Sequence, residues 1–201
     1  MIMFRLKKYY KNNFLIFLII TSFFLLNSCQ KIEVLDNIIF DNNLLDKINI
    51  AAEKKIINIK YESSFSDSFV DHSMFNPPVS RLESWLSENV AVFGSENYLV
   101  IDIVNASIKK TEVLIDTKKK FAEKSEYFYE IYLSLNFKLF NDSNDIVSST
   151  QVFTKRSTTS GKFISLSQKD HIMDMLILDA LIDISSKSNE LLVKNMNSYI
   201  L

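Results

Sequence analysis

The sequence predicts an α+β fold, a two-layer sandwich in which an antiparallel sheet of about four strands carries two helices on one face. Three observations carry this expectation. Tyr127, Tyr129, Ile131, Leu133, Leu135, Phe137 and Leu139 alternate without a break, the period of a strand with one buried face. Val79, Leu82, Leu86, Val90 and Phe93 recur at steps of three and four, and so do Met173, Leu176, Ile177, Ala180, Leu181 and Ile184, so two helices each present one apolar stripe. Composition is the third: 47% hydrophobic residues, with 16 Phe and 8 Tyr among 201 residues, are enough to fill the core that such a sandwich encloses.

Charge and glycine content exclude several function classes. Lys and Arg number 23 against 24 Asp and Glu, a net charge of −1, which argues against nucleic acid as a partner. Only two Gly and two Pro occur, so glycine-rich phosphate loops, collagenous repeats and proline-rich linkers are absent from the sequence.

The first element is an address. Residues 1–13 carry Arg5, Lys7, Lys8 and Lys11 with no acid, and Phe14 to Leu26 follow with no charge at all. Thirteen residues of helix span roughly 20 Å, short of a hydrocarbon core about 30 Å thick, so a signal peptide over 1–28 is expected. Leu26-Asn27-Ser28-Cys29 resembles the lipobox of bacterial lipoproteins, which implies cleavage before Cys29 and acylation of its thiol. Cys29 is the sole cysteine, so a disulfide framework is impossible. Two or three acyl chains on one residue anchor durably, since each buried methylene contributes about 0.8 kcal/mol. Gln30 is not the aspartate that retains many enterobacterial lipoproteins in the inner membrane, so by that resemblance the periplasmic face of the outer membrane is expected, with the inner membrane as the alternative. Cleavage removes four basic residues and no acidic ones, which leaves a net charge of −5 and an attachment that rests on the acyl chains.

Residues 29–46 read as a lipid-anchored tether with a short helical turn, and residues 47–201 as a single domain. Ile56, Ile57, Ile59 and Tyr61 indicate a strand over about 54–63. Pro77-Pro78 suits a helix entry, with Asn76 or Ser80 as cap, Ser80-x-x-Glu83 as a capping box, and Gly94 as the residue of positive φ after a helix from Val79 to Phe93. Tyr98 to Val104 reads as a buried strand. Past Asn105-Ala106, a weaker strand-like run extends from Ser107 to Ile115. Lys118–Lys120 with Glu123, Lys124 and Glu126 around Phe121 read as a solvated connection, with a phosphate or lipid-headgroup patch as the alternative. The strand Glu126 to Phe140 then turns at Asn141–Asp145 and returns as Ile146 to Thr158. Ser165 and Gln168 form a reciprocal capping box for the last helix, whose stripe weakens at Ser185–Ser188.

No motif declares a reaction. Only His72 and His171 are available as bases; His171 lies beside Asp170 in the first turns of the last helix, whereas Asp71-His72 sits in a loop where the acid could orient the imidazole. Loop anchoring is the alternative for that pair, and core packing is the alternative to a ligand cleft for Trp85. Asp71, His72 and Trp85 are therefore the candidate binding residues, with none assigned to catalysis. No metal and no cofactor is expected. Asp142, Asn144 and Asp145 lack the Gly and terminal Glu of a calcium loop, and Asp179 and Asp183 share a helix face on which Asp183 is also spaced to pair with Lys187.

With Cys29, Val70-Asp71-His72, Pro78, Trp85, Gly94 and Arg156-Ser157-x-Thr159 in view, the chain resembles a group of alphaproteobacterial lipoproteins, and departs from it at Ala91, Val92 and Phe93. The architecture is similar to the auxiliary lipoproteins of ABC-type lipid transporters and to the lipopolysaccharide-assembly lipoprotein. That resemblance implies a non-enzymatic, membrane-anchored accessory whose partner is another envelope protein or a lipid. A periplasmic lipid-binding protein is the second reading, and a periplasmic hydrolase built on His72 the third.

Overall fold

The computed structural model describes Leu35, residues 38–115 and residues 124–201, and its elements fall within one compact unit, Asn37–Leu201. The expected signal peptide, Cys29 and Lys118–Lys120 lie outside the described residues.

A 3₁₀ turn at Asn42–Leu44 precedes β1 (Ile48–Ile50) and β2 (Lys54–Ile59). A second such turn, Asp71–Ser73, leads to α1 (Pro78–Asn89), which passes directly into β3 (Val90–Val92). Three long strands follow, β4 (Tyr98–Leu114), β5 (Ser125–Phe140) and β6 (Ile146–Ser160), and then α2 (Leu166–Met196) and a last 3₁₀ turn at Asn197–Tyr199. The main sheet has the order β2-β4-β5-β6, and β1 and β3 pair separately.

The α+β class holds, but the sheet is mixed rather than antiparallel. β4, β5 and β6 are antiparallel neighbours, whereas β2 runs parallel to β4 and β1 parallel to β3. The reason is the connection. A parallel neighbour requires a crossover, and α1 with the loop before it is that crossover for both pairs.

Both helices cover one face. Leu99, Ile101 and Ile103 of β4, Leu135, Phe137 and Leu139 of β5 and Val152 of β6 are fully buried, in one cluster with Leu82, Trp85 and Leu86 of α1 and Ile177, Ala180 and Ile184 of α2. Polar pins on the same face hold each helix. Lys55, opposite Leu99 in the register, donates from Nζ to the carbonyls of Leu86, Ser87 and Val90 at the C-terminal end of α1, where the helix dipole favours a cation. Burial lowers the pKa of this ammonium. On the other side, Thr154 of β6 donates to Asp183 of α2, and Asn195 Nδ2 donates to Thr150 Oγ1 at 2.7 Å.

Several local expectations are corrected. Asn105-Ala106 does not end a strand: β4 is continuous, and a bulge between Ile103 and Asn105 leaves Val104 without a register partner. That extra residue shifts the parity of the strand, so Ala106 and Ile108 remain on the core face with Leu99, Ile101 and Ile103. The first helix stops at Asn89 instead of Phe93. Asn89 Nδ2 donates to the carbonyls of Asn42 and Leu45 at 2.6 and 3.0 Å, and the β-branched Val90 and Val92 pair with β1 instead of extending the helix.

The N-cap of α1 is Pro77 with no side-chain hydrogen bond, so neither Asn76 nor Ser80 caps it; Pro78 starts it, where a missing N–H is harmless. Gly94 does not have positive φ. A Cβ there would stand 3.0 Å from the Ala52 backbone nitrogen, so close approach explains it, while Asn97 and Asn144 occupy the left-handed region. At α2 the capping box forms as expected, with Ser165 Oγ accepting from the Gln168 N–H and the Gln168 side chain accepting from the Ser165 N–H. The helix runs unbroken through Ser185–Ser188, because Ser185 and Ser188 are buried small residues on its packed side. Among the described residues, no helix is long and apolar enough to cross a membrane.

Candidate functional site

The 3₁₀ turn Asp71–Ser73 buries Asp71 and leaves His72 exposed. Asp71 is fully buried; the Tyr61 hydroxyl donates to its Oδ2 at 2.8 Å and the Ile108 backbone N–H to its Oδ1 at 3.2 Å. Burial, reinforced by the bond to Asp71, pushes the Tyr61 hydroxyl well above the usual tyrosine range. Asp71 thus pins the loop to β4, beside the backbone bonds from Val70 N to Ile108 O and from Lys110 N to Ser68 O. His72 is exposed, its ring 5.4 Å from that of Phe65 and tilted by 55°. Trp85 is buried in the core and its indole N–H donates to the Asp46 carbonyl at 3.2 Å. The fold therefore does not bring these three residues together in one cavity.

A different set of residues lines a cleft of about 450 Å³ between the loop 70–76, the first turns of α1 and the first turns of α2. Val70, Met74 and Met173 supply apolar wall, and Arg81, Lys169, Asp170 and Asp174 supply two charges of each sign. Phe75 and Leu166 also line it, yet they are 98% and 77% exposed, so the cleft opens to solvent between large apolar side chains.

Arg81 is held in place by packing instead of by an ion pair. Its guanidinium carbon lies 3.6 Å from the centre of the Phe40 ring, and its buried Nε has no hydrogen-bond partner among the described residues. Burial lowers its pKa against the opposing field of Asp174. Burial likewise raises the Asp174 carboxyl; Arg81 opposes that rise and Asp170 adds to it. Sequence reasoning missed this group because Arg81, Lys169 and Asp174 belong to two elements that meet only in the fold. The available signal was weak: Arg81 lies four residues before Trp85, on the apolar side of α1.

The opposite face of the sheet carries no helix among the described residues, and its charged centre is Asp102. Lys60 Nζ and Lys138 Nζ lie 2.8 and 2.9 Å from Oδ2, and Asn58 Nδ2 donates to Oδ1 at 3.0 Å. Burial by itself would raise this carboxyl, but the three hydrogen bonds outweigh it and bring the pKa down to about 2. Asp183, on the helix side, behaves alike: burial is outweighed by Thr154, Lys187 and Arg156, and its pKa also falls to about 2. Each carboxylate is committed to neighbouring cations and donors, Asp102 to groups of the sheet and its edge and Asp183 to both α2 and β6, which makes both structural ties. Among the described residues no group of His, Cys, Asp and Glu is arranged to hold a metal ion.

No protein-family model matches the chain, and the comparison with curated proteins found no significant match. Among solved structures, the chain is similar to a minor lipoprotein from Acinetobacter baumannii, with 9% identity and a TM-score of 0.39 over 75% of this chain and 96% of that one. It is similar also to rare lipoprotein B from Shewanella oneidensis, with 10% identity and a TM-score of 0.38 over 71% and 95%. A third similar structure is a neuraminyllactose-binding hemagglutinin homolog from Helicobacter pylori, with 11% identity and a TM-score of 0.34 over 75% and 91%.

Proposed function

We propose that the chain is a non-enzymatic lipoprotein of the bacterial envelope, tethered to the periplasmic face of the outer membrane by acylated Cys29 and acting as an accessory in envelope assembly or lipid transport. One observation carries this reading: the lone cysteine closes Leu26-Asn27-Ser28-Cys29, at the end of a charge-free run of thirteen residues that itself follows four basic residues and no acid. The folded unit supports a binding role. It offers a solvent-open cleft and a sheet face without a helix among the described residues, and its loop histidine is exposed while the neighbouring Asp71 is buried and bonded to Tyr61 and the Ile108 N–H. That geometry counts against the hydrolase reading. The cleft, a concave site with an exposed apolar margin, suits a lipid as well as another envelope protein as the bound partner.

The test is the fate of Cys29→Ala in cells. The parent protein should fractionate with outer membranes and resist high-salt extraction, and the variant should accumulate as a larger precursor or leave the membrane. A variant identical to the parent in size and fractionation contradicts the proposal. Recovery of the parent with inner membranes corrects its address.

A further inference from the structure

We infer that the cleft between the loop 70–76 and the first turns of both helices binds the headgroup of a zwitterionic phospholipid whose amine carries N–H donors, with phosphate against Arg81 and Lys169 and ammonium against Asp170 and Asp174. This rests on the envelope reading for the source of the lipid, and on the cleft alone for the chemistry. The four charged side chains line one cavity and sum to zero. A lone phosphate entering it meets two carboxylates, and a lone amine meets two cations. A group that bears both charges satisfies both pairs, and each contact is a charge-assisted hydrogen bond.

The buried Nε of Arg81, without a hydrogen-bond partner among the described residues, calls for an acceptor, because an unsatisfied buried donor is rare in a folded chain. The Phe40 ring packs against the guanidinium before any ligand arrives, which limits the ordering cost of binding. The cavity volume of about 450 Å³ lies within the range of small-molecule sites. Phe75 and Leu166, apolar and solvent-exposed at the opening, continue the wall formed by Val70, Met74 and Met173 and give the start of an acyl chain a surface to leave along. A quaternary ammonium has no N–H to donate to Asp170 and Asp174, and an anionic glycerol headgroup brings no positive charge to them. The site should reject both.

The experiment uses the full-length protein purified in a maltoside detergent, titrated calorimetrically with dihexanoyl phosphatidylethanolamine, the corresponding phosphatidylcholine and phosphatidylglycerol, and free phosphoethanolamine. The ethanolamine lipid should bind about tenfold or more tightly than any of the other three. Arg81→Gln and Asp174→Asn should each weaken it by about tenfold at unchanged near-ultraviolet circular dichroism. Should either variant fail to fold, Lys169→Ser and Asp170→Asn take its place. Equal binding of the three lipids overturns the assignment, as does binding of free phosphoethanolamine as tight as that of the lipid, or ethanolamine-lipid affinity indifferent to the variants. The intact mass of the same sample reports Cys29 acylation. An acylated protein without this selectivity removes the cleft assignment alone, and an unacylated protein removes the envelope reading whatever the cleft binds.

Discussion

Asp102 stands on the face of the sheet opposite α1 and α2, yet its side chain is only 1% exposed, because Lys60, Lys138 and Asn58 close over it. A carboxylate held at a pKa of about 2, against roughly 3.9 in an unfolded chain, stabilises the native state above pH ~4 and loses that contribution as the pH falls through ~2. Asp102→Asn should therefore lower stability at pH 7 by about 2 kcal/mol. The gap between parent and variant in urea unfolding should narrow as the pH is taken from 5 towards 2. A gap that is constant over that range would remove the ion triad as its origin. Lys55 makes a second prediction at this scale. Its ammonium bonds three carbonyls at the end of α1, so Lys55→Met should cost about 1–3 kcal/mol by denaturant titration, and an unchanged midpoint would show those carbonyls satisfied without it.

At the scale of elements, α2 depends on its cap and on small residues at its packed surface. Ser165→Ala removes the acceptor for the Gln168 N–H and should cost about 1 kcal/mol, read as a lower thermal midpoint. Ser188, fully buried, leaves no room for a larger side chain, and Ser188→Leu should destabilise by about 1–3 kcal/mol through overpacking. These elements also show what a sequence makes legible. β5 and α2 were readable because their patterns are local and uninterrupted, from Tyr127 to Leu139 and from Met173 to Ile184. β4 was read as two pieces because the bulge at Val104 changes the parity of its side chains, and alternation is blind to such a change. The parallel pairing of β2 with β4 was not readable either, since strand direction is set by the route of the crossover and not by the residues of the strand. α1 was overextended by the apolar Val90 and Phe93, whose spacing fits a helix while the local pairing with Ile48–Ile50 makes a strand.

For the molecule as a whole, the candidate site was the least legible part. Asp71 and His72 are adjacent in sequence, and adjacency in a loop sent one side chain inward and the other to solvent. The cleft instead joins Arg81 to Asp174 across more than ninety residues, a juxtaposition that only the packing of α1 and α2 on one sheet face produces. The anchor is the reverse case. Its evidence is a contiguous pattern, basic residues, an apolar run and one cysteine, and lies outside the described residues. Everything proposed about location depends on it. The most direct measurement is tandem mass spectrometry of the amino-terminal peptide from protein isolated out of native membranes. The account predicts a chain that begins at Cys29 and carries two or three fatty acyl groups; a peptide that begins at Met1, or an unmodified thiol at Cys29, contradicts it.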